Sequence, residues 1–518
     1  MKRIAIIGGG IAGLTAACEI ARLARSGAAV EAMLFESSNR LGGLIETVRE
    51  GGFTVEAGPD GWVSAKPWAT ELAKELGLEA ELVPSNDATR KTHIFLTTPE
   101  NPSGQLVPMP DGFSMMVPSN LDALNGSPLF TETAIAAYRA EPARAAELLR
   151  TIPPHDESVA DFTLRHFGPE VLARVAAPLL SGVFGGDVHA LSVRAVMPAF
   201  VQMEREHGSL IAALQSARTQ LTTDNLQPAT GIFTTLRTGL GTLIDRLVAA
   251  IPAHWLRLNT TVTAIHANAH VANGSDSPPW TIHTSTTGKH RGSETFDAVL
   301  LAAPLDASRR LLTPLDADAA KLLPTESSSA VLVAFAYTDA SRVPLPPGFG
   351  FLVPPSPAPA TNPGVPQLAS EIWAATKASL LLACTFTDQK FSHRVPPGGR
   401  LVRAFFGGAA AERIARCNND EIAAIARLEL ARVLNANLPV SGPAPTPPPA
   451  PVLTVVRRWP NSLPQYPVSH LARVAELESC LRTLPGLSLL GNALNGLGIP
   501  DLIRDARQAA RGATRAAA

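Results

Sequence analysis

Cysteine and aromatic residues are scarce in this chain, and both shortages narrow the classes of protein to which it can belong. Four cysteines occur among 518 residues, and aromatic residues make up 5% of the sequence. Because the cysteines show no CxxC spacing, the sequence excludes a disulfide framework and a zinc site built on cysteine. We expect isolated, reduced thiols in a cytoplasmic protein, at Cys18, Cys384, Cys417 and Cys480.

An excess of charge of either sign is also missing. Lysine and arginine together number 44, against 45 aspartate and glutamate residues, which gives a net charge of −1. The sequence has no basic cluster interleaved with aromatic residues, so we expect no nucleic acid partner. His266 and His270 lack the HExxH context of a zinc site and lie in strand-like sequence, and we predict that neither binds a metal.

Long hydrophobic runs are absent as well. The longest, residues 330–337, is far shorter than the roughly 18 residues of a membrane-spanning helix and suits a buried strand. The apolar run at residues 4–7 ends at Gly8, too early for the core of a secretion signal. We therefore expect that the protein is not integral to a membrane. Peripheral contact with the inner face of the cell membrane needs only a few exposed apolar side chains and stays compatible with the sequence.

The chain does contain a glycine loop at its start. Residues 4–7 are apolar, the pattern Gly8-x-Gly10-x-x-Gly13 follows, and residues 14–24 are rich in alanine. This order predicts a strand, a phosphate-binding loop and a helix. The first glycine permits the turn, the second lets a diphosphate approach the backbone, and the third lets helix and strand pack closely.

The residues that follow predict a complete dinucleotide site. Ile11 and Ala12 open the predicted helix, whose free N-terminal amides are expected to hold the diphosphate. The segment 30–35 predicts a second strand and is followed by Glu36, twenty-three residues after Gly13, where a carboxylate accepts hydrogen bonds from a ribose. The same carboxylate would repel a 2′-phosphate, which disfavours NADP.

A second glycine pair favours FAD over NAD as the cofactor. Arg40-x-Gly42-Gly43 places a cation and bare backbone just after Glu36. FAD is the longer dinucleotide, and the close approach of its ribityl chain gives the glycine pair a physical use that NAD does not require. The alternative is a hairpin turn with a solvated arginine.

These motifs resemble the N-terminal pattern of the FAD-dependent amine oxidase and protoporphyrinogen oxidase superfamily. Near the other end of the chain, the segment 490–505, LGNALNGLGIPDLIRD, is similar to the C-terminal flavin motif of that superfamily. We expect a helix from residue 501 to about residue 510, with Pro500 in its first turn. The resemblance implies that FAD also contacts the following residues: Gly58, Pro59, Asp60, Val262, Trp459, Gly491, Asn492, Gly498 and Ile499.

The two halves of the cofactor motif lie almost a whole sequence apart, so we expect a discontinuous domain. The predicted fold class is α/β, with a Rossmann-type FAD-binding domain, an α+β substrate domain and a mostly helical insertion. The FAD-binding domain is expected to comprise residues 1–90, 235–305 and 452–518. The substrate-binding domain is expected to comprise residues 91–119, 200–234 and 306–451, and the helical domain, with a surface suited to membrane contact, residues 120–199.

Blocks in the middle of the chain resemble protoporphyrinogen oxidases of the oxygen-dependent bacterial type. They are residues 58–67, 177–192, 348–354, 391–408 and 458–470. The resemblance implies FAD-dependent oxidation of protoporphyrinogen IX to protoporphyrin IX in haem biosynthesis, with dioxygen as the acceptor and hydrogen peroxide as the product. Hydride transfer to a flavin needs a positioned substrate and excluded water more than a strong acid or base, so no catalytic residue is assigned.

A porphyrinogen is a wide apolar disc with carboxylates at its edge, which calls for apolar walls and at least one cation. Leu352 and Phe391 match substrate positions of the family, although burial in a core explains them equally well. Gly182 and Gly186 offer flat walls or, alternatively, end a helix. Lys66 is the candidate cation, because the arginine that many family members carry in this block is missing; a solvated lysine is the alternative.

Alternatives to protoporphyrinogen stay open. Coproporphyrinogen III carries four carboxylated arms instead of two, and more cations around the pocket would favour it. The small number of basic residues in the substrate blocks favours protoporphyrinogen. The glycine loop is also compatible with an amine oxidase or a carotenoid desaturase, but the blocks in the middle of the chain argue against both. A binding protein that kept the fold but lost the redox role is a further alternative, and it would contain no flavin. Nothing in the sequence predicts the oligomeric state.

Overall fold

The computed structural model describes residues 1–223, 231–268, 279–286, 291–354, 379–434 and 449–515. His270, which we predicted not to bind a metal, lies outside these residues. Within them, no group of three or more histidine, cysteine, aspartate or glutamate side chains is arranged to hold a metal ion.

A five-stranded parallel sheet forms the centre of the cofactor half of the molecule. Its central strands are short continuous apolar runs, as expected for strands that are covered on both faces. In the first strand, Ile4, Ala5 and Ile6 are completely buried. The strand order across the sheet is Leu256–Arg257, Val30–Phe35, Lys2–Ile7, Ala298–Leu301 and Leu487–Leu489.

Helices from both ends of the chain pack beside this sheet. The first helix, Ile11–Arg25, lies against the C-terminal helix, Ile499–Thr514. Small residues such as Ala16 of the first helix and Ala506 and Ala510 of the C-terminal helix belong to one buried core, and they let the two helices approach closely. The predicted discontinuous Rossmann-type arrangement is therefore confirmed.

A three-stranded antiparallel sheet continues from the parallel sheet. The backbone N–H of Thr260 donates to the carbonyl oxygen of Glu36 at 2.8 Å, so the first strand of this sheet starts beside the end of Val30–Phe35. A register shift between Val262 and Ala264 marks a bulge in the same strand. The three strands are Thr260–Ala267, Trp280–Thr286 and Arg291–Phe296.

A seven-stranded mixed sheet forms the other half. All neighbouring strands are antiparallel except Gly350–Leu352 and Thr92–Leu96, which pair in parallel. The run 330–337 lies in a strand, as predicted, and is buried from Val331 onward. The strand order is Leu453–Pro464, Ser327–Tyr337, Arg400–Gly407, Ala383–Phe386, Gly350–Leu352, Thr92–Leu96 and Gln105–Pro108.

Smaller sheets connect these two halves and the helical region. A three-stranded sheet has the order Trp62–Val63, Phe233–Leu236 and Leu82–Pro84. Two hairpins pair Thr47–Glu50 with Phe53–Glu56 and Phe113–Ser114 with Val117–Pro118.

The helical region has its own aromatic core. Tyr138, Phe162 and Phe167 are almost completely buried, and Thr131 and Ser158 cap two of the helices through their hydroxyl oxygens. The helices of this region are Glu132–Ala140, Ala145–Arg150, Val159–Phe167, Pro169–Val171, Leu172–Ala176 (a π-helix), Ala177–Phe184, Val193–Val196, Pro198–His207 and Leu210–Thr223.

The remaining helices cover the sheets. They are Trp68–Glu75, Gly241–Ala249, Leu305–Leu312, Ala317–Leu322, Thr387–Lys390, Gly408–Ile414, Asn419–Leu434 and His470–Leu481. In the described ranges, none of the helices combines the length and the hydrophobicity that crossing a bilayer requires. Peripheral contact with a membrane stays a prediction.

Candidate functional site

The glycine loop has the geometry of a nucleotide-binding turn. Gly8 has a φ angle of +113°, and a Cβ atom there would lie 2.4 Å from the carbonyl oxygen of Ala302. A Cβ atom on Gly13 would lie 1.9 Å from the carbonyl oxygen of Gly8. The fold itself therefore demands glycine at both positions.

Gly10 differs from these two glycines because its backbone faces open space. A Cβ atom on Gly10 would have one neighbour within 4 Å, the Cα atom of Gly43 at 4.0 Å. Gly10 is also the N-cap of the first helix, where no side chain bonds the free amides and no acidic residue occupies the first turn. Ile11 and Ala12 are buried, and their N–H groups lack helical partners, as in any first turn. A diphosphate fits this combination of bare backbone and free donors.

Glu36 is fixed beside the glycine loop by both of its carboxylate oxygens. Oε2 accepts a hydrogen bond from the N–H of Gly9 at 2.8 Å, and Oε1 accepts one from the N–H of Ser38 at 2.8 Å. A carboxylate has about four lone-pair sites, so Glu36 retains capacity to accept from ribose hydroxyls.

The second glycine pair lies directly against the glycine loop. Gly42 forms an isolated parallel bridge with Gly10, and a Cβ atom on Gly43 would lie 3.1 Å from the Cα atom of Gly10. Gly42 and Gly43 have φ angles of +109° and +58°. The Arg40 guanidinium donates to the carbonyl oxygen of Gly43 and, at 3.1 Å, to that of Ile45, so it orders this turn.

The C-terminal motif presents bare backbone that is supported from behind. Gly491 has a φ angle of +126°, and no atom lies within 4 Å of the place of its Cβ atom. The Tyr466 hydroxyl donates to the carbonyl oxygen of Asn492 at 2.6 Å and accepts from the N–H of Gly496 at 3.1 Å. The His470 ring stacks on the Tyr466 ring, with centroids 4.1 Å apart. Burial raises the pKa of Tyr466, which keeps its hydroxyl neutral.

The start of the C-terminal helix carries an ion pair with Lys66. Gly498 is the N-cap of this helix and Ile499 is its buried first residue. The carboxylate of Asp501, 3% exposed, lies 2.7 and 2.8 Å from the Lys66 Nζ atom through its two oxygens. Lys66 is thus tied to the cofactor motif, with 47% of its side chain exposed. Its predicted role as a substrate cation stays a prediction.

Val262 and Trp459 lie on strands that reach the cofactor segments. Val262 is buried, two residues beyond Thr260, whose N–H bonds the carbonyl oxygen of Glu36. The Trp459 indole N–H donates to the carbonyl oxygen of Ala57 at 2.9 Å. Both residues are therefore close to predicted FAD-binding segments.

The segment Gly58-Pro59-Asp60 lies where the cofactor half meets the seven-stranded sheet. A Cβ atom on Gly58 would lie 1.9 Å from the carbonyl oxygen of Leu44. Arg403, on a strand of that sheet, donates to the carbonyl oxygen of Gly58 and places Nη1 3.1 Å from Asp60 Oδ2. The ion pair joins the two halves of the molecule.

Lys390 connects Asp60 to Phe391, a predicted substrate residue. Its Nζ atom lies 3.2 Å from Asp60 Oδ1, 4.1 Å from the ring centroid of Phe233 and 5.1 Å from that of Phe391. Burial alone would raise the pKa of Asp60, but attraction from Lys390 and Arg403 outweighs it and lowers the pKa to about 2. Asp60 is therefore an anion held between two cations.

A second buried ion pair adjoins the first. Arg394 is completely buried, with Nη1 2.8 Å from Glu56 Oε1 and Nη2 donating to the Thr235 hydroxyl at 2.6 Å. The Thr235 hydroxyl in turn donates to the carbonyl oxygen of Asp60 at 2.8 Å. Two carboxylates and three cations form this cluster, which we name the charged junction: Glu56, Asp60, Lys390, Arg394 and Arg403.

The structure brings two of the predicted substrate residues together. A Cβ atom on Gly182 would lie 3.1 Å from Leu352 Cδ2, so the helix and the strand that carry these residues touch at this glycine. A Cβ atom on Gly186 would lie 1.7 Å from Gln465 Oε1, so Gly186 makes room for that side chain. Phe391 is 1% exposed. Substrate contact by these four residues stays a prediction.

Sequence reasoning missed the cations of the charged junction, Lys390, Arg394 and Arg403. One signal was present. Arg403 lies in the strand Arg400–Gly407, between buried apolar neighbours, and a charged residue is almost never buried without a partner. Nothing in the sequence near Arg403 indicated that Asp60 is its partner.

The parallel sheet, the glycine loop, the acid after the second strand and the paired terminal helices together define an FAD-binding oxidoreductase fold. The family described as flavin containing amine oxidoreductase matches residues 11–514, and the chain belongs to it. The protein is an FAD-dependent oxidoreductase, which confirms the predicted cofactor and the predicted class of enzyme.

Relatives with assigned activities match the chain from end to end. The coproporphyrinogen III oxidase of Bacillus subtilis (strain 168) is 30% identical over 511 residues, covering 98% of this chain and 97% of the relative. The mitochondrial protoporphyrinogen oxidase of Nicotiana tabacum is 25% identical over 517 residues, and the match covers 96% of this chain and 92% of the relative. A crystal structure of a protein from Exiguobacterium sp. 255-15, provisionally named a protoporphyrinogen oxidase, superposes on this chain with a TM-score of 0.75 at 28% sequence identity. The superposition covers 99% of this chain and 98% of the other.

Proposed function

We propose that this enzyme oxidises a porphyrinogen to a porphyrin in tetrapyrrole biosynthesis, and that coproporphyrinogen III is the favoured substrate. The observation that carries the proposal is the match over 98% of the chain to a coproporphyrinogen III oxidase. The sequence alone favoured protoporphyrinogen IX, because few cations were evident in the substrate blocks. The three cations of the charged junction do not add to the cations available to a substrate, because they are buried and paired with Glu56 and Asp60.

Arg90 is a further cation suited to a carboxylated arm of the substrate. The N–H of Asn86 donates to the carbonyl oxygen of Lys390 at 3.0 Å, and the Thr89 hydroxyl donates to that of Gln389 at 3.3 Å, so this loop packs on the segment before Phe391. Arg90 follows directly and is exposed, and its side chain has no hydrogen-bond or ion-pair partner in the described part of the chain. An unpaired guanidinium there is free to bind a propionate.

The chemistry asks the protein to position a methylene bridge of the substrate and to exclude water. Bound FAD supplies the two-electron acceptor, from which dioxygen takes the electrons to form hydrogen peroxide. Three two-electron steps together remove three hydrides and one proton from the methylene carbons and two protons from pyrrole N–H groups, and they yield the aromatic ring. The apolar contact between Gly182 and Leu352 suits the flat face of the macrocycle, and the Arg90 guanidinium suits its edge.

Protoporphyrinogen IX is the second candidate substrate. The relative from Nicotiana tabacum is named a protoporphyrinogen oxidase, and the Exiguobacterium structure carries that name provisionally.

We also propose that the enzyme lies in the cytoplasm and contacts the inner face of the membrane through exposed apolar side chains such as Val183, which is 59% exposed. Cosedimentation with vesicles of anionic lipid tests that contact.

The decisive experiment incubates the flavin-loaded protein aerobically with each porphyrinogen. Porphyrin fluorescence measures turnover, and a peroxidase-coupled assay measures hydrogen peroxide. We expect a higher kcat/KM for coproporphyrinogen III and one peroxide for each two electrons removed. A higher kcat/KM for protoporphyrinogen IX would select the second candidate, and turnover of neither would contradict the proposal.

An arginine variant tests how the carboxylates are recognised. Loss of one charge-assisted hydrogen bond is worth about 1.5–3 kcal/mol, so Arg90→Gln should raise KM for coproporphyrinogen III by roughly tenfold or more. The matched control is Arg205→Gln, which removes another exposed arginine, on the helix Pro198–His207. Equal changes in both variants would refute a specific role for Arg90.

A further inference from the structure

A cleft of about 770 Å³ opens among four helices, and none of its lining residues is predicted to bind FAD or the substrate. The four helices are the first helix, the C-terminal helix, Trp68–Glu75 and Gly241–Ala249. Five guanidinium groups and two carboxylates line it. We name it the arginine cleft, and its charged residues are Glu19, Arg22, Arg25, Glu75, Arg246, Arg507 and Arg511. Its net charge is strongly positive.

Two buried donors in the arginine cleft lack hydrogen-bond partners. The Thr15 hydroxyl, on a residue 1% exposed, has no hydrogen-bond partner among the described residues. By contrast, the buried helical Thr163 donates to the carbonyl oxygen of Val159 at 2.7 Å, as threonine in a helix commonly does. The Nε atom of Arg507 has no hydrogen bond either, but its guanidinium forms ion pairs with Glu75 and, at 3.7 Å, with Glu19. A buried donor left unpaired is costly, so the Thr15 hydroxyl points to a ligand.

Glu19 holds the arginines in place without neutralising the cleft. It is 2% exposed and accepts hydrogen bonds from Arg22 and Arg511, each at 2.7 Å. Burial would raise the pKa of Glu19, but these bonds outweigh burial and lower the pKa to about 2. Arg246 is exposed and has no partner in the described ranges. The cleft therefore combines preorganised guanidinium groups with one that is free.

The lining also limits the shape of the ligand. Leucine, alanine and Cys18 provide its apolar residues, and none of the described lining residues is aromatic, so the cleft has no aromatic wall on which a porphyrin would stack. Guanidinium groups bind phosphate and carboxylate through paired hydrogen bonds. We propose that the arginine cleft is a second binding site, for a small oxyanion with several negative charges and no extended ring. Oligophosphates and tricarboxylates share this chemistry.

Binding at the arginine cleft is measured by titration calorimetry of the flavin-loaded protein at low ionic strength, with inorganic pyrophosphate and, separately, citrate. We expect saturable binding of pyrophosphate, of citrate or of both, a raised thermal midpoint and constant flavin fluorescence. Pyrophosphate binding alone would assign the site to phosphates, and citrate binding alone would assign it to carboxylates. Binding of neither, or binding accompanied by flavin release, would overturn the proposal.

Two variants locate the bound anion. Arg246→Gln should weaken binding about tenfold, while the matched Arg205→Gln variant, outside the cleft, should leave it unchanged. Thr15→Val should weaken binding several-fold and raise the thermal midpoint of the unliganded protein, since it removes an unpaired buried hydroxyl. Unchanged affinity in Arg246→Gln or Thr15→Val, or an equal loss in Arg205→Gln, would overturn the proposal. This inference does not depend on the porphyrinogen activity.

Discussion

Replacing Gly10 with alanine should weaken FAD binding without unfolding the protein. The backbone at Gly10 has φ −75° and ψ −176°, which any residue adopts, and the new Cβ atom would meet nothing closer than 4.0 Å. A loss of N-cap propensity and a gain from the stiffer unfolded chain should cancel to within about 1 kcal/mol. The methyl group occupies space that a diphosphate needs, and overpacking of this kind costs about 1–3 kcal/mol. FAD affinity should fall by roughly 5- to 150-fold.

Gly13→Ala provides the contrast, because its Cβ atom would lie 1.9 Å from the carbonyl oxygen of Gly8. The backbone must shift, so we expect this variant to lose stability even in the absence of FAD. The assay titrates each apoprotein with FAD by flavin fluorescence and measures urea unfolding of the apoprotein. Full FAD affinity in Gly10→Ala would refute the assignment of the loop. Equal unfolding of both apoproteins would refute the distinction between a ligand-facing and a packing glycine.

Three further variants test contacts that join distant segments. Asp60→Asn should destabilise the protein by up to about 3–5 kcal/mol. The wild-type carboxylate is stabilising above its ordinary pKa of 3.8 and loses this effect as pH falls towards about 2, so the difference should narrow in urea denaturation from pH 6 to pH 3; a constant difference would contradict the ion pair. Lys66→Met leaves the buried Asp501 carboxylate without its lysine partner and should lower the free energy of unfolding by about 1–3 kcal/mol. If KM in this variant rises by a larger factor than kcat falls, the predicted role of Lys66 in substrate binding is supported. Tyr466→Phe should weaken FAD binding, whereas Tyr138→Phe, which removes a buried hydroxyl in the helical region, should not; equal effects would show that Tyr466 does not support the cofactor motif.

The cofactor half of the fold was predictable because its signals are local. A strand covered on both faces must be a continuous apolar run, and the segments 4–7 and 32–35 have this character. The predicted helix from residue 501 to about residue 510 lies within the observed helix Ile499–Thr514. The observed helix is longer at both ends, because the caps depend on backbone contacts that the sequence pattern does not reveal.

The charged junction was not predictable for the opposite reason. Lys390 and Asp60 are 330 residues apart, and Lys66 and Asp501 are 435 residues apart. Such pairs depend on how two halves of a molecule dock, and no spacing rule connects them. The sequence suggested Lys66 as a free cation, whereas the structure engages it with Asp501. The edge strand Leu487–Leu489 also escaped notice, because three residues are too short for a periodic pattern.

The pairing of the first helix with the C-terminal helix has a consequence for biosynthesis. At about 5–20 residues per second, a ribosome needs roughly 25 to 100 s to travel from the glycine loop to the helix that completes the core around it. During that interval the nascent N-terminal segment lacks its packing partner and exposes apolar surface. Flavin is therefore expected to be captured after translation ends, and incomplete chains should emerge colourless and become targets for chaperones and proteases.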